Sequence, residues 1–512
     1  MKSNKIMAMV LLVCMLMGLA MANAAAAPVK DTVVLTQAEE PTAMITIDIA
    51  VPSNQNKDAI VFHQIYDTLY IQENDGTLTP RLATGYTATE DGLEYIITIR
   101  DDVYFHNGNK MTAEDVAFVF NEYRDKYQSG YESDLLTLET IEPIDDYTVR
   151  FSFSKPIPNF LHFITGYRNG IIDKKYYEEV GGALGYNEAP IGTGAYKFES
   201  RVSGESITLV ANENYWDGEP AIKKVIIKPI GNISTQFLSL ENGEVDFIGR
   251  ADLASCLQIT NPNLTWAFTN SAGRSIMQLT AREPSPLIDD NLRKAIQCAL
   301  DKEEIVLGVL EGYGMPLDSE YVPTYTGAPD ISQLTVIPHD LEKAKEYLAA
   351  STYSGQTIVL QCMVGTPEER AAQIIQGQLM AIGINVEITA VDSGTAMARR
   401  RTMEGLDMAI SAHNAPHRDM LILGTMYKKS DLYTPFYPLE LLEKTNSILI
   451  EAQTEMDAEK RKGMYAEVAN IIVENAFVIP LYNPPVTIAY NVGLKGIEPD
   501  YVGSVYVREW SW

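Results

Sequence analysis

Apolar and polar positions switch between two periods along almost the whole chain. Leu93, Tyr95, Ile97 and Ile99 stand two apart, the period of a half-buried strand, and Asn107-Gly108 follows as a turn. Tyr147, Val149, Phe151 and Phe153 alternate with Thr148, Arg150 and Ser152 in the same way. Helical stretches lie between such runs. Thr112, three residues before Asp115, resembles a capping box ahead of Val116, Val119 and Phe120. Asp301 with Glu304 opens a second helix, which Gly312 can close. Thr366-Pro367-Glu368-Glu369 supplies an N-cap, a proline in the first turn and the reciprocal glutamate. The stripe Ile375, Leu379, Ile382 then runs to Gly383, and strand-like Ile384, Val386 and Ile388 follow directly. A helix that feeds a strand through one glycine predicts an α/β protein.

The first thirty residues follow neither period. Lys2 and Lys5 precede an apolar run from Ile6 to Leu19, and Ala22-Asn23-Ala24 offers the small-x-small pattern of a cleavage site. This predicts a secretory signal peptide over 1–24 and export to the periplasm. Cys14 raises the question of a lipid anchor, but Leu11-Leu12-Val13 supplies no small residue before it, so the expectation is a chain without one. No other apolar run approaches the ~20 residues that span a bilayer.

A chain of 512 residues exceeds one core and predicts two or three domains. Its net charge of -28 is spread without blocks, which argues against nucleic acid and anionic membranes as partners. Beyond the leader, Cys256, Cys298 and Cys362 are far apart and form no CxxC pair, so core positions are expected for them. Enzyme motifs are missing. None of the six histidines is followed by Glu, and there is no G-x-S-x-G elbow or Walker A loop. Gly192-Thr193-Gly194 and Gly312-Tyr313-Gly314 lack the third glycine of a dinucleotide fingerprint and read as turns or caps.

Several segments together resemble the family 5 extracellular solute-binding proteins of dipeptide, oligopeptide and nickel importers. They are Ile65-Tyr66-Asp67-Thr68-Leu69, Pro80 to Tyr86, Glu90 to Leu93, Arg100 to Gly108 and Thr112 to Val116. Ile191 to Phe198, Asn212 to Trp216 and Gly243 to Asp246 follow, then Leu292 to Ile296 with Ala299 to Lys302, and Ile382 to Val386. The segments occur in the family's order. The resemblance implies a periplasmic-binding-protein fold (type II, cluster C) with two lobes and an extra inserted domain. Lobe I would be discontinuous, from residues near 25–62, 190–278 and 484–512. The inserted domain would cover 63–189 and lobe II 279–483. It further implies a monomer that captures solute by hinge closure and delivers it to an ABC permease and its ATPase, with no obligatory cofactor. In this reading the signature residues are mostly scaffold.

The ligand is read from the cleft. Peptide-binding members of the family carry a Trp and an acidic stretch after the second-lobe strand. Here the strand Leu406 to Ser411 runs into Ala412 to Asp419, where only Asp419 remains as an amine partner. The segment His413 to Met426 is similar to the nickel-binding branch, which has an Ala-Pro pair there. Arg168 lies near that branch's arginine for a chelator carboxylate, and Tyr131 near an aromatic of the same site. The branch's metal-touching histidine would fall near Ser430-Asp431, where this chain has none.

The expectation is that His413 and His417 act as imidazole ligands to a nickel chelate or pack directly against it. The alternative is two solvated loop residues. Arg168 and Arg418 would grip carboxylates of a chelator or of a peptide C-terminus. With ordinary imidazoles, affinity would fall as pH drops through ~6.5. The leading reading is thus a nickel-chelate receptor and the runner-up a short-peptide receptor. A secreted hydrolase on the same lobes and a sensory receptor remain as rivals.

Overall fold

The structure is a computed structural model that describes residues 30–45, 47, 55–126, 137–414, 420, 436–501, 503 and 505–512. The leader with Cys14, and Tyr131, His417, Arg418 and Asp419, lie outside these residues. The chain is α/β, as its periods predict.

Three sheets and a small hairpin organise the described chain. The seven-stranded sheet has the order Leu264–Asn270, Pro485–Asn491, Phe247–Ile248, Thr32–Gln37, Lys224–Pro229, Ser206–Ala211, Tyr196–Val202. Thr32–Gln37 runs parallel to both neighbours, from Thr32↔Lys224 to Gln37↔Pro229 on one side and Leu35↔Phe247 on the other. The six-stranded sheet has the order Met315–Pro316, Val478–Asn483, Gly273–Leu279, Met408–Asn414, Ile358–Met363, Val386–Val391. A four-stranded antiparallel sheet joins Ala83–Ala88, Glu94–Ile99, Thr148–Phe153 and Leu138–Asp145, with the Ala113–Lys126 helix packed on it.

Every residue of Gly273–Leu279 is buried, because both faces of its sheet are covered. Met277 and Leu279 join Leu360, Met408 and Ile410 in one core cluster. Ile276, the other parity, joins Ala409, Tyr325 and Tyr465 in a second. Cys298 and Cys362 sit in the first of these cores and Cys256 in a third cluster, all three as buried free thiols.

The chain crosses between the two large sheets twice, through Ser271-Ala272 and through Pro484. The crossings run side by side, with Ser271 N–H donating to Pro484 O at 3.2 Å. Asn483 ties them. Its Nδ2 donates to Ser271 O at 2.9 Å and to Gly273 O at 2.5 Å.

Helix starts follow the sequence signals with one exception. Asp115 accepts the Thr112 N–H at 2.9 Å, closing half of the anticipated box, and Asp301 caps Lys302–Leu310 by accepting the Glu304 N–H at 3.0 Å. Thr366 differs. Its hydroxyl turns back to donate to Met363 O at 2.8 Å, so it makes no cap bond to Pro367–Ala381. Glu369 still reaches back, accepting from Gly365 N–H at 2.7 Å.

Two signature turns lock together. His106 makes a 2.9 Å hydrogen bond through Nε2 to Gly194 O, and its Nδ1 accepts the Gly192 N–H at 3.3 Å. A side chain at Gly192 would collide with Ile65 O, only 1.9 Å from where its Cβ would stand. The backbone approach, not catalysis, requires these glycines.

Candidate functional site

The polar face of the six-stranded sheet is set by register. Arg274 stands directly opposite His413, Ile276 opposite Ser411 and Gln278 opposite Ala409, so these side chains share one face. Met277, Leu279, Met408 and Ile410 take the other. Gln361 joins the polar face through its pairing with Ala409.

This face holds a buried network of charged and polar groups. Arg274 is fully buried and lies 3.6 Å from Glu320, which is equally buried. Arg400, on the helix Ser393–Thr402, donates to Gln278, whose amide in turn donates to Tyr437 Oη at 3.5 Å. The Arg400 guanidinium lies 6.0 Å from the Phe436 ring centroid. Buried guanidinium groups of this kind demand partners, and the network supplies them from three elements.

His413 is half-buried at the edge of the network and shares a 2.8 Å hydrogen bond with Ser411 Oγ through Nε2. Burial first, then Arg274 and Arg400, hold its ring neutral well below the ordinary imidazole range. Protonation of His413 near pH 6.5 is therefore not what this environment produces. The ring is in the form that can coordinate a metal, but two guanidinium groups beside it disfavour a bare cation and favour a carboxylate.

Arg168 belongs to a separate element, the turn Tyr167–Asn169. Tyr167 stacks on Phe62 at 5.5 Å, and Asn169 Nδ2 donates to Phe163 O at 2.7 Å, which fixes the turn. Arg168 Nε donates to Tyr167 Oη at 3.0 Å and its guanidinium lies 5.7 Å from the same ring. Among the described residues, no group of three or more His, Cys, Asp or Glu is placed to hold a metal ion.

A cavity of about 410 Å³ opens where Thr32–Gln37 and Phe247–Ile248 end. These are parallel strands, and ligand crevices of α/β sheets lie outside such carboxyl ends. Gln37, Glu39, Gln236, Arg250 and Asp252 supply its polar lining. Arg250 takes the left-handed backbone region at φ 55°, and its side-chain carbons pack against Gly503. Just before that contact the chain passes the start of the six-stranded sheet, where Tyr501 O accepts the Ala272 N–H at 2.9 Å.

Sequence reasoning did not single out Arg274, Arg400 or the cavity residues. Arg274 and Gln278 share the parity of Ile276 within a buried strand, and that polar parity was the available signal.

Comparison with known proteins follows from this geometry. The family described as Bacterial extracellular solute-binding proteins, family 5 Middle, matches residues 77–432. The chain belongs to that family. Its proteins are the substrate-binding components of ABC importers, which deliver ligand to a permease and its ATPase. They are transport proteins, not enzymes, which removes the secreted hydrolase. The chain is 24% identical to the glutathione-binding protein GsiB of Salmonella typhi over 466 residues, 88% of this chain and 89% of the relative. It is 25% identical to the probable D,D-dipeptide-binding periplasmic protein DdpA of Escherichia coli over 488 residues, 92% of each. Among solved structures, NikA of Brucella suis in complex with Fe(III)-EDTA superimposes with a TM-score of 0.83 at 21% identity, covering 94% of this chain and 99% of that one. That likeness shares the type II binding-protein fold. No helix among the described residues is long and apolar enough to cross a membrane.

Proposed function

We propose that this protein captures a small organic solute bearing a carboxylate, of the short-peptide class, and hands it to an ABC importer. One observation carries the reading: a half-buried neutral imidazole, His413, paired across the sheet with Arg274 and close to Arg400. Such a wall presents positive potential at low dielectric to whatever enters, and a carboxylate answers it. Arg168 supplies a third guanidinium for the same chemistry. The lobes are those drawn from the sequence, 25–62 with 190–278 and 484–512 against 279–483, with 63–189 inserted, and residues 1–24 are cleaved on export.

A second reading is a transition-metal chelate, nickel first. It is favoured by the neutral state of His413, since only an unprotonated ring coordinates a metal. In that case the metal arrives with its own carboxylate ligands, which the arginines receive, and His413 with His417 contacts it.

Native mass spectrometry separates the two. The protein is offered a pool of di- and tripeptides, the same pool amidated at the C-terminus, nickel alone, and nickel with histidine. Retention of the free peptides and loss of the amidated ones is expected. Equal retention of amidated peptides sinks the carboxylate reading, and retention of nickel-histidine with neither peptide pool selects the chelate.

A further inference from the structure

The cavity at the ends of Thr32–Gln37 and Phe247–Ile248 has an uneven supply of donors and acceptors. Gln37 is buried, and its Nε2 is spent on Glu39 O at 2.8 Å and Lys57 O at 2.7 Å. Gln236, 3% exposed, spends its Nε2 on Ile230 O at 2.6 Å. Neither Oε1 accepts a hydrogen bond from a described residue, so Gln37 offers a carbonyl oxygen and no hydrogen, and Gln236 a carbonyl oxygen with one amide hydrogen left. Asp252 uses one carboxylate oxygen to cap Leu253–Cys256, accepting Ser255 N–H at 2.8 Å and Ser255 O–H at 2.7 Å. Glu39 is exposed at the rim, with no ion pair to a described residue.

Two carboxylates and two amide oxygens therefore face one guanidinium, and Arg250 is itself drawn toward Asp500. Acceptors in excess, some of them buried, are stabilised by a group that brings several hydrogens and a positive charge. A primary ammonium has three donors and no acceptor, which is the complement of this lining.

We propose that this cavity is an ammonium subsite, and that the solute is zwitterionic. Its carboxylate meets the wall at His413 and Arg400, with Arg274 buried behind them, and its amine enters the cavity between Glu39, Gln37 and Gln236. The inference rests on the carboxylate reading above and adds the other end of the ligand. It also answers the loss of the acidic stretch after the second-lobe strand, because the amine is neutralised in the other lobe. Glu39 is the specificity-determining residue.

The test uses the full-length mature protein and three peptide pools of identical sequence: both ends free, N-acetylated, and C-terminally amidated. Acetylation removes the charge and two donors without touching the carboxylate. Binding is expected to fall about tenfold or more on acetylation, the scale of a lost charge-assisted contact. Glu39→Gln should weaken the free-ended pool by a similar factor, and Glu39→Lys should abolish its binding. Both variants change an exposed side chain, and their melting curves report on folding. If amidation abolishes binding while acetylation and Glu39→Gln change nothing, the subsite is overturned and the carboxylate reading stands. If amidated peptides bind as well as free ones, the carboxylate reading itself fails. Binding of no pool overturns both.

Discussion

Trp216 donates its indole N–H to Oδ2 of Asp67 at 2.9 Å. The neighbouring Tyr215 donates its hydroxyl to Oδ1 at 2.9 Å, and Thr193 Oγ1 donates to Oδ2 at 3.3 Å. Arg81 stands 3.8 Å from the same carboxylate and 4.6 Å over the Trp216 ring. Segments that are separate in sequence, among them Ile65 to Leu69, Pro80 to Tyr86, Ile191 to Phe198 and Asn212 to Trp216, thus meet on one buried carboxylate. Their occurrence as a set has a structural cause: the first provides Asp67, and each of the other three supplies it a donor or a charge.

Asp67→Ala is expected to cost about 3 kcal/mol, because it strands a buried indole N–H, a phenol and a nearby guanidinium together. Urea unfolding monitored by tryptophan fluorescence measures this. A loss below about 1 kcal/mol would show that the knot is not a stabilising hub.

How far the sequence reached depends on the range of the interaction. Asp301 and Glu304, or Thr112 and Asp115, are three residues apart, so their bonds are visible as spacing. The alternation of Tyr147 to Phe153 likewise reports one strand's own burial. Arg274 and His413 are different. They meet only because the Gly273–Leu279 and Met408–Asn414 strands pair in one register, and no local pattern specifies that pairing. The cavity residues come from three separate segments, the end of Thr32–Gln37, the helix Ile233–Glu241 and the turn from Gly249 to Asp252, and were equally illegible. Even local signals can be outcompeted, as Thr366 shows by bonding Met363 O in place of its own helix.

That contrast is measurable. Asp301→Ala removes a cap bond at 3.0 Å and should cost about 1 kcal/mol. Thr366→Ala removes no cap and should cost less than about 0.5 kcal/mol from that source. Chemical denaturation of the two variants decides it, and a larger loss at Thr366 would reverse the assignment.

Acid should destabilise the fold above the pH range in which ordinary carboxylates titrate. Burial lowers His106 and His162 from 6.5 to about 4, and burial with Arg508 lowers His63 to about 3. A histidine whose folded pKa lies below its unfolded one costs nothing when both states are neutral. Below pH 6.5 the unfolded chain takes up the proton and the folded one does not, so stability falls with pH until the folded ring also titrates. Asp115, raised by burial to about 6, works in the opposite direction, but one group stands against these three and His413, which burial also holds low. Unfolding free energy should therefore drop by about 2 kcal/mol or more between pH 7 and pH 5. A flat profile over that interval would remove the burial argument for all three rings.

The two crossings between the large sheets share one buried tie. Asn483 is fully buried, and its amide hydrogens go to Ser271 O in the other crossing and to Gly273 O at the start of the paired strand. Among the described residues its Oδ1 has no hydrogen-bond partner. A buried unsatisfied acceptor is costly, so the position is held by the two donors and not by the side chain as a whole. Asn483→Ala removes those donors, leaves two carbonyls less well satisfied, and should lower stability by about 2 kcal/mol. Asn483→Asp keeps the shape but turns carboxylate oxygens toward carbonyl oxygens, and should cost more than the alanine. Because the tie spans both connections, the alanine variant should also broaden the range of inter-lobe arrangements. X-ray scattering of the unliganded protein reads this as a larger radius of gyration than the parent. Unchanged scattering together with an unchanged melting temperature would show that the crossings are held without Asn483.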